Sequence, residues 1–226
     1  MSEPKGTEPS AGPVPDALLA RLFGEIGHLL GGEADFARPF LAALPQEPFR
    51  RQPGDGEAFL PVLRDWPDCL TRAPEEQPAL ASVTEALSAL SPFLRWRQNP
   101  NYRVSPPDPG FLDGYGYSEI VGPYGLVEAG VRCGVLLLGP HIFYPAHRHP
   151  AEEIYIPLNL GAWQWSEAEI AVGRWTERPA GAVIHHPPEV AHAMRAGECA
   201  LAALYLWRGD LTTEAKLDAA RAAMPS

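Results

Sequence analysis

Proline makes up 26 of the 226 residues, and no other feature limits the fold as much. Each proline fixes φ and removes a backbone donor, so it ends helices and is kept out of the middle of sheets. The prolines are densest at 4–15, 39–53, 61–109 and 179–188. Long unbroken helices and strands are therefore excluded. Apolar residues still make up 46% of the chain, too many for a low-complexity disordered sequence. The expected product is a set of short elements joined by rigid turns. A chain of this length forms one generous domain, or one domain with an extension. It buries enough surface to fold without a disulfide or metal staple.

Residues 1–15 are polar and rich in proline and glycine, and read as a disordered tail. Asp16 then reads as an N-cap. Leu18, Leu19, Leu22, Phe23, Ile26, Leu29 and Leu30 follow at helical spacing until Gly31-Gly32 stops the run. Further helices are expected over 33–43, 57–64 and 76–90, the last with Leu80, Val83, Leu87 and Leu90 on one face. This gives a helical N-terminal extension over 16–98. The texture changes near residue 99. Strand-like runs at 117–121, 131–138, 152–158, 162–165, 182–185 and 199–207 alternate with Gly and Pro turns. Short strands at this spacing suggest a mainly β domain over 99–226, an antiparallel sandwich or barrel. A last amphipathic helix is expected over 212–223.

Charge and cysteine content narrow the function. Lys plus Arg number 18 against 28 Asp plus Glu, a net charge of −10. Such a surface repels phosphate backbones and anionic membranes. No apolar run approaches a membrane span, and the N-terminus lacks a basic-then-apolar export signal. Cys69, Cys133 and Cys199 are odd in number and widely spaced, which fits reduced thiols and a cytoplasmic location. No P-loop, GxGxxG, GxSxG or HExxH pattern occurs.

The informative stretch is Tyr144-Pro-Ala-His-Arg-His-Pro-Ala-Glu-Glu-Ile-Tyr155. In extended backbone alternate side chains share a face, so His147 and His149 point together, as do Glu153 and Tyr155. A bend at Pro150-Ala151 can bring the two pairs opposite one another. Two imidazoles and a carboxylate converging in this way suit a divalent transition metal with open coordination positions. His192, in a turn-then-strand context after Pro187-Pro188, is the expected fourth ligand. His185 and His186 end a strand, and are read as neighbours of the site or as surface residues. Arg148, between the two histidines, should point away.

The spacing His147-x-His149-x3-Glu153, with the distal His192, resembles the two motifs of the cupin superfamily over roughly residues 130–208. Two positions depart from the usual cupin pattern. Gly139 lies eight residues before His147, and Glu189 stands where many cupins have glycine. Tyr155, two residues after Glu153, sharpens the resemblance to the cupin-type dimethylsulfoniopropionate (DMSP) lyases. The run from Tyr144 to Glu153 and the helical extension most resemble the DddL branch of that group.

That resemblance implies a cupin-type antiparallel β-barrel, a double-stranded β-helix. It also implies one divalent metal ion (Zn, Fe, Mn, Co or Ni) on His147, His149, Glu153 and His192. The implied reaction is β-elimination of DMSP to dimethyl sulfide and acrylate, with Tyr155 as base. Free tyrosine titrates near ~10, so a nearby cation must favour its phenolate. A sulfonium cation is held well by aromatic faces, and Tyr144, Trp207 and Tyr117 are the expected substrate-binding residues. The expected partner is a small zwitterionic sulfonium, with no nucleic acid and no membrane. A homodimer would cover the apolar stripes of the N-terminal helices, although these could equally cap their own barrel. Two alternatives use the same ligand set: an Fe(II)/O2 cupin dioxygenase acting on a small thiol or acid, and a non-catalytic small-ligand-binding cupin.

Overall fold

A computed structural model of the chain describes residues 12–32, 35–52, 56, 59–71 and 77–218. The apolar spacing of the first helix becomes α1 (Asp16–Leu30), which buries Leu19, Leu22, Phe23, Ile26 and Leu30. Pro15, not Asp16, holds its N-cap position, and Asp16 pairs with Arg51 instead. α2 (Arg38–Ala43) is shorter than expected and begins at the Arg38-Pro39 step. A 3-10 turn (Pro61–Asp65) runs straight into α3 (Trp66–Thr71), which replaces the single helix expected over 57–64. α4 (Pro78–Leu90) buries Leu80, Val83, Leu87 and Leu90 and packs along α1. The two apolar stripes therefore cover each other and the sheet behind them, so neither calls for a second subunit. Most of the tail expected over 1–15 lies outside the described residues, but Val14 is buried in the core.

The remaining elements, in chain order, are β1 (Trp96–Arg97), α5 (Pro100–Val104), β2 (Tyr115–Val121), β3 (Arg132–Leu138), β4 (Phe143–Arg148), β5 (Glu152–Pro157), β6 (Gly161–Gln164), α6 (Glu167–Ala171), β7 (Thr176–Arg178), β8 (Ile184–His186), β9 (His192–Arg195), β10 (Leu201–Arg208) and β11 (Lys216–Leu217). They form two antiparallel sheets, ordered β1-β2-β3-β10-β5-β8 and β11-β4-β9-β6-β7. Two facing sheets with this interleaved order make the jelly-roll sandwich of cupins.

The larger sheet is buried on both faces, which explains why its strands read as continuous apolar runs. Cys133, Val135 and Leu137 of β3, Ile154 and Ile156 of β5, and Leu204 and Leu206 of β10 face the helices. The alternate residues Leu136, Leu138, Tyr155, Ala203, Tyr205 and Trp207 face the second sheet. The space between the sheets is thus lined with aromatic rings, and the catalytic candidates project into it. One glycine is required here. Gly134 pairs with Tyr205 across β3 and β10, and a Cβ at this position would lie 2.7 Å from the Tyr205 phenol oxygen.

The helix expected over 212–223 is not seen in its described part. Asp210 accepts hydrogen bonds from the Thr212 and Thr213 amides at 2.8 and 3.0 Å, which closes a turn. The chain then runs on as β11, pairing Lys216 with Arg148 and Leu217 with His147. Residues 219–223 lie outside the described part. This C-terminal strap lies against the metal-motif strand, and Asn99 and Asn101 hold its Ala215 carbonyl at 3.1 Å each.

Candidate active site

Glu153 is the hub of the site. It is fully buried, and the strand register fixes what surrounds it. On one side it pairs with Trp207 of β10, on the other with His186 of β8. The Trp207 indole N–H donates to Glu153 Oε1 at 2.5 Å, and His186 Nδ1–H donates to Oε2 at 3.2 Å. Across the sandwich, His149 Nε2 stands 3.1 Å and His192 Nε2 3.2 Å from the same Oε2. The ligand atoms of His149, Glu153 and His192 all lie within 4.8 Å of one another, and all three residues are buried.

The histidines are oriented for this convergence by the backbone. His147 Nδ1 bonds the Pro145 carbonyl at 2.9 Å, His149 Nδ1 the Ala151 carbonyl at 3.0 Å, and His192 Nδ1 the Val190 carbonyl at 2.9 Å. A carbonyl only accepts, so each Nδ1 carries the proton and each Nε2 is left to point inward. His149 and His192 thus aim Nε2 at a carboxylate oxygen that also only accepts. A cation between them relieves the conflict. The Nε2 atoms of His192 and His186 are buried with no hydrogen-bond partner among the described residues; for His192, which aims into the cluster, that suits a group able to take a metal ion.

Charge states agree. Burial and the neighbouring His192 hold His147 well below the usual imidazole range, and the same two causes bring His186 down to about 3. Burial pushes Glu153 up, but the surrounding histidines, His149 foremost, outweigh it and leave the carboxyl well below its usual range. The site holds a carboxylate among imidazoles.

Not every expected residue sits where the spacing placed it. His149, Glu153 and His192 come together as expected. His147 adjoins them, with its ring 4.1 Å from that of His192, but lies outside the tight group and stacks on Tyr144 at 4.0 Å. A register shift in the β4–β9 pairing lies between Tyr144 and His147, and both side chains are buried. His186 is inside and His185 outside: His185 bonds Glu152 at 2.8 Å and stacks on Phe36. Arg148 points away, to Asp218 and Glu167.

Tyr155 lies beside the cluster, its ring 5.8 Å from His186 and 6.3 Å from His192. Burial, then the Glu153 charge, pushes its phenol well above the ordinary value. Next to it is a narrow cavity whose wall includes Tyr117, Tyr144, Tyr155, Tyr205 and Trp207. All three expected substrate residues border this cavity. Tyr144 is held there by Tyr102, the two hydroxyls lying 2.8 Å apart. Trp207 has a second duty not foreseen from sequence: besides bonding Glu153 it stacks on His149 at 4.0 Å. The wall also carries Arg132 and Glu214, two charged residues that spacing gave no reason to select.

Comparison with known proteins fits this geometry. The family profile for DMSP lyase matches residues 41–203. DMSP lyase DddQ of Ruegeria pomeroyi is 32% identical over 138 residues, which is 60% of this chain and 65% of that protein. The chain thus spans just under two thirds of the length of this relative. The crystal structure of DddQ from Ruegeria pomeroyi matches with a TM-score of 0.68 at 25% identity, covering 90% of this chain and 98% of that one. A chain from crystal structures of the DMSP lyases RdDddP and RnDddQII matches with the same values. The names of these relatives are DddQ, DddQII and DddP; DddL, the branch that the motif run most resembles, is not among them.

Proposed function

Since this chain belongs to the DMSP lyase family, we propose that it cleaves dimethylsulfoniopropionate by β-elimination, releasing dimethyl sulfide and acrylate, with a divalent metal ion as cofactor. The observation that carries this reading is the cluster of His149, Glu153 and His192 beside Tyr155, which itself lines an aromatic cavity. His149, Glu153 and His192 would hold the metal, with His147, whose ring adjoins that of His192, as the fourth ligand.

The acidic carbon of the substrate lies next to a carboxylate, whose charge makes the proton hard to remove. The bound ion supplies positive charge that offsets that carboxylate and favours the phenolate of Tyr155. Without such charge the buried phenol keeps its proton at neutral pH, given its raised pKa. Tyr155 removes the proton from the carbon next to the carboxylate. The electron pair forms the double bond, and the carbon–sulfur bond breaks to release dimethyl sulfide. Trp207 and His186 hold the Glu153 carboxylate in place from either side. The aromatic wall formed by Tyr117, Tyr144 and Trp207 receives the sulfonium and keeps water from the reacting carbon.

The test is headspace detection of dimethyl sulfide from purified protein and DMSP, before and after chelation and with each divalent metal restored. Chelator-sensitive release with equimolar acrylate is expected. Tyr155→Phe should keep its metal and lose turnover, and a near-normal rate in that variant would remove Tyr155 as the base. No release from folded, metal-loaded protein would overturn the lyase reading. Oxygen uptake with thiols and small acids would then test a dioxygenase.

A further inference from the structure

The cavity wall carries a charge arrangement that the elimination chemistry does not use. Arg132 is buried on β3 and held between two carboxylates. Its Nε donates to Glu119 Oε2 at 2.6 Å and its Nη2 to Glu214 Oε1 at 2.9 Å. The other oxygen of Glu119 accepts the Tyr124 amide at 2.7 Å. One guanidinium and two carboxylates leave a formal surplus of one negative charge. Glu119 is sealed away, with a side-chain exposure of 0%, while that of Glu214 is 19%. Of the two carboxylates, only Glu214 borders the cavity.

This placement matters because Arg132 alone would spoil a site for a cation. Its guanidinium lies 5.2 Å from the Trp207 ring, beside the aromatic wall. Glu119 cancels that charge, and Glu214 reverses its sign. Burial raises the pKa of Tyr117, Tyr115 and Tyr102, and the Glu214 charge adds a smaller push in the same direction to each. Aromatic faces attract a cation but discriminate weakly against a neutral group of the same shape, since both gain from burial. A carboxylate in a confined, mostly apolar cavity does discriminate.

We propose that Glu214 is the specificity-determining residue of this cavity, selecting a substrate whose far end carries a permanent positive charge over an uncharged isostere. This rests on the lyase reading above and deepens it. The sulfonium is recognised by an anion on the C-terminal strap as well as by aromatic rings. The strap, anchored through Ala215 to Asn99 and Asn101, is what delivers that anion.

The experiment uses the metal-loaded full chain and two competitive probes: the trimethylammonium analogue of the substrate and its uncharged tert-butyl isostere. Neither a sulfonium nor a trimethylammonium can donate a hydrogen bond, so Glu214 acts through charge attraction, which in a confined cavity is stronger than in water. Wild type is expected to prefer the cationic probe by roughly tenfold or more. Glu214→Gln should bring that ratio towards one and raise KM for the sulfonium substrate more than it lowers kcat. Glu214→Asp should keep the preference. If the glutamine variant does not fold, Glu214→Ala reads the same ratio. Equal affinity of wild type for both probes, or an undiminished preference in Glu214→Gln or Glu214→Ala, overturns the proposal. An active wild type with an unchanged preference in the variant overturns only this proposal. A wild type that releases no dimethyl sulfide overturns the lyase reading itself.

Discussion

Replacing Trp207 with phenylalanine separates two things this side chain does. Phenylalanine keeps an aromatic ring for the stack on His149, which lies at 4.0 Å, but removes the indole N–H that reaches Glu153 Oε1 at 2.5 Å. Glu153 Oε1 then loses a charge-assisted bond in a place water hardly reaches, since Glu153 is fully buried. Hydrogen bonds to charged groups are worth about 1.5–3 kcal/mol. At 1.4 kcal/mol per factor of ten, metal affinity should fall by roughly 10- to 100-fold, the range typical of residues that orient metal ligands. The assay is competition for the metal against a chelator of known affinity, with thermal unfolding as a check on the fold. Activity at saturating metal and substrate should recover a large part of the wild-type rate, because Tyr155 is untouched and phenylalanine keeps a ring in the aromatic wall. Unchanged metal affinity in a folded Trp207→Phe protein would refute the reasoning and leave Trp207 only its place in the aromatic wall.

Three further outcomes follow from the geometry. His149→Ala should lose metal and activity together, as measured by bound-metal content after desalting; full occupancy would exclude it as a ligand. Glu189 has φ of 63°, a left-handed conformation that costs an L-residue about 1 kcal/mol or more, so Glu189→Gly should raise Tm by roughly 2–4 °C, and a fall would contradict the strain. In metal-free protein, His186 folds with its pKa lowered from 6.5 to about 3. The unfolded chain therefore binds a proton that the folded one does not. Stability should be level above pH 6.5 and decline by up to roughly 5 kcal/mol between pH 6.5 and 3. Lowering of His147 acts in the same sense, and Glu153, also lowered, adds a loss below about pH 4.5. Chemical denaturation of chelated protein across this range checks the slope; a flat profile down to pH 5 would sink it.

The parts of the fold that were legible in the sequence are those governed by local periodicity. α1 and α4 show their buried faces at helical spacing, and Glu153 and Tyr155 share a face because strand side chains alternate. Elements of three to six residues were harder. α3, α6 and β7 are too short to show a period, and α6 is set largely by its Ser166 cap on the Glu169 amide. The helix expected near the C-terminus was a false period, overridden in its described part by the Asp210 turn and by pairing with β4. In the site, the motif spacing brings out His149, Glu153 and His192. The roles of Trp207 and His186 depend on which strands flank β5, a long-range pairing that no local pattern encodes. Arg132 and Glu214 are separated by 82 residues and escape for the same reason.

The carbonyls that orient the three histidines belong to Pro145, Ala151 and Val190, each only two positions from the ring it holds. Every ring is therefore aimed by its own short stretch of chain rather than by a distant element. Such a centre is portable. The helical extension and single wall positions such as Tyr117 and Glu214, which hold none of the three rings, can be exchanged in evolution or by design without re-aiming the imidazoles. Substrate choice can then drift on one part of the molecule while the metal-binding apparatus, written into a few tripeptides, stays fixed.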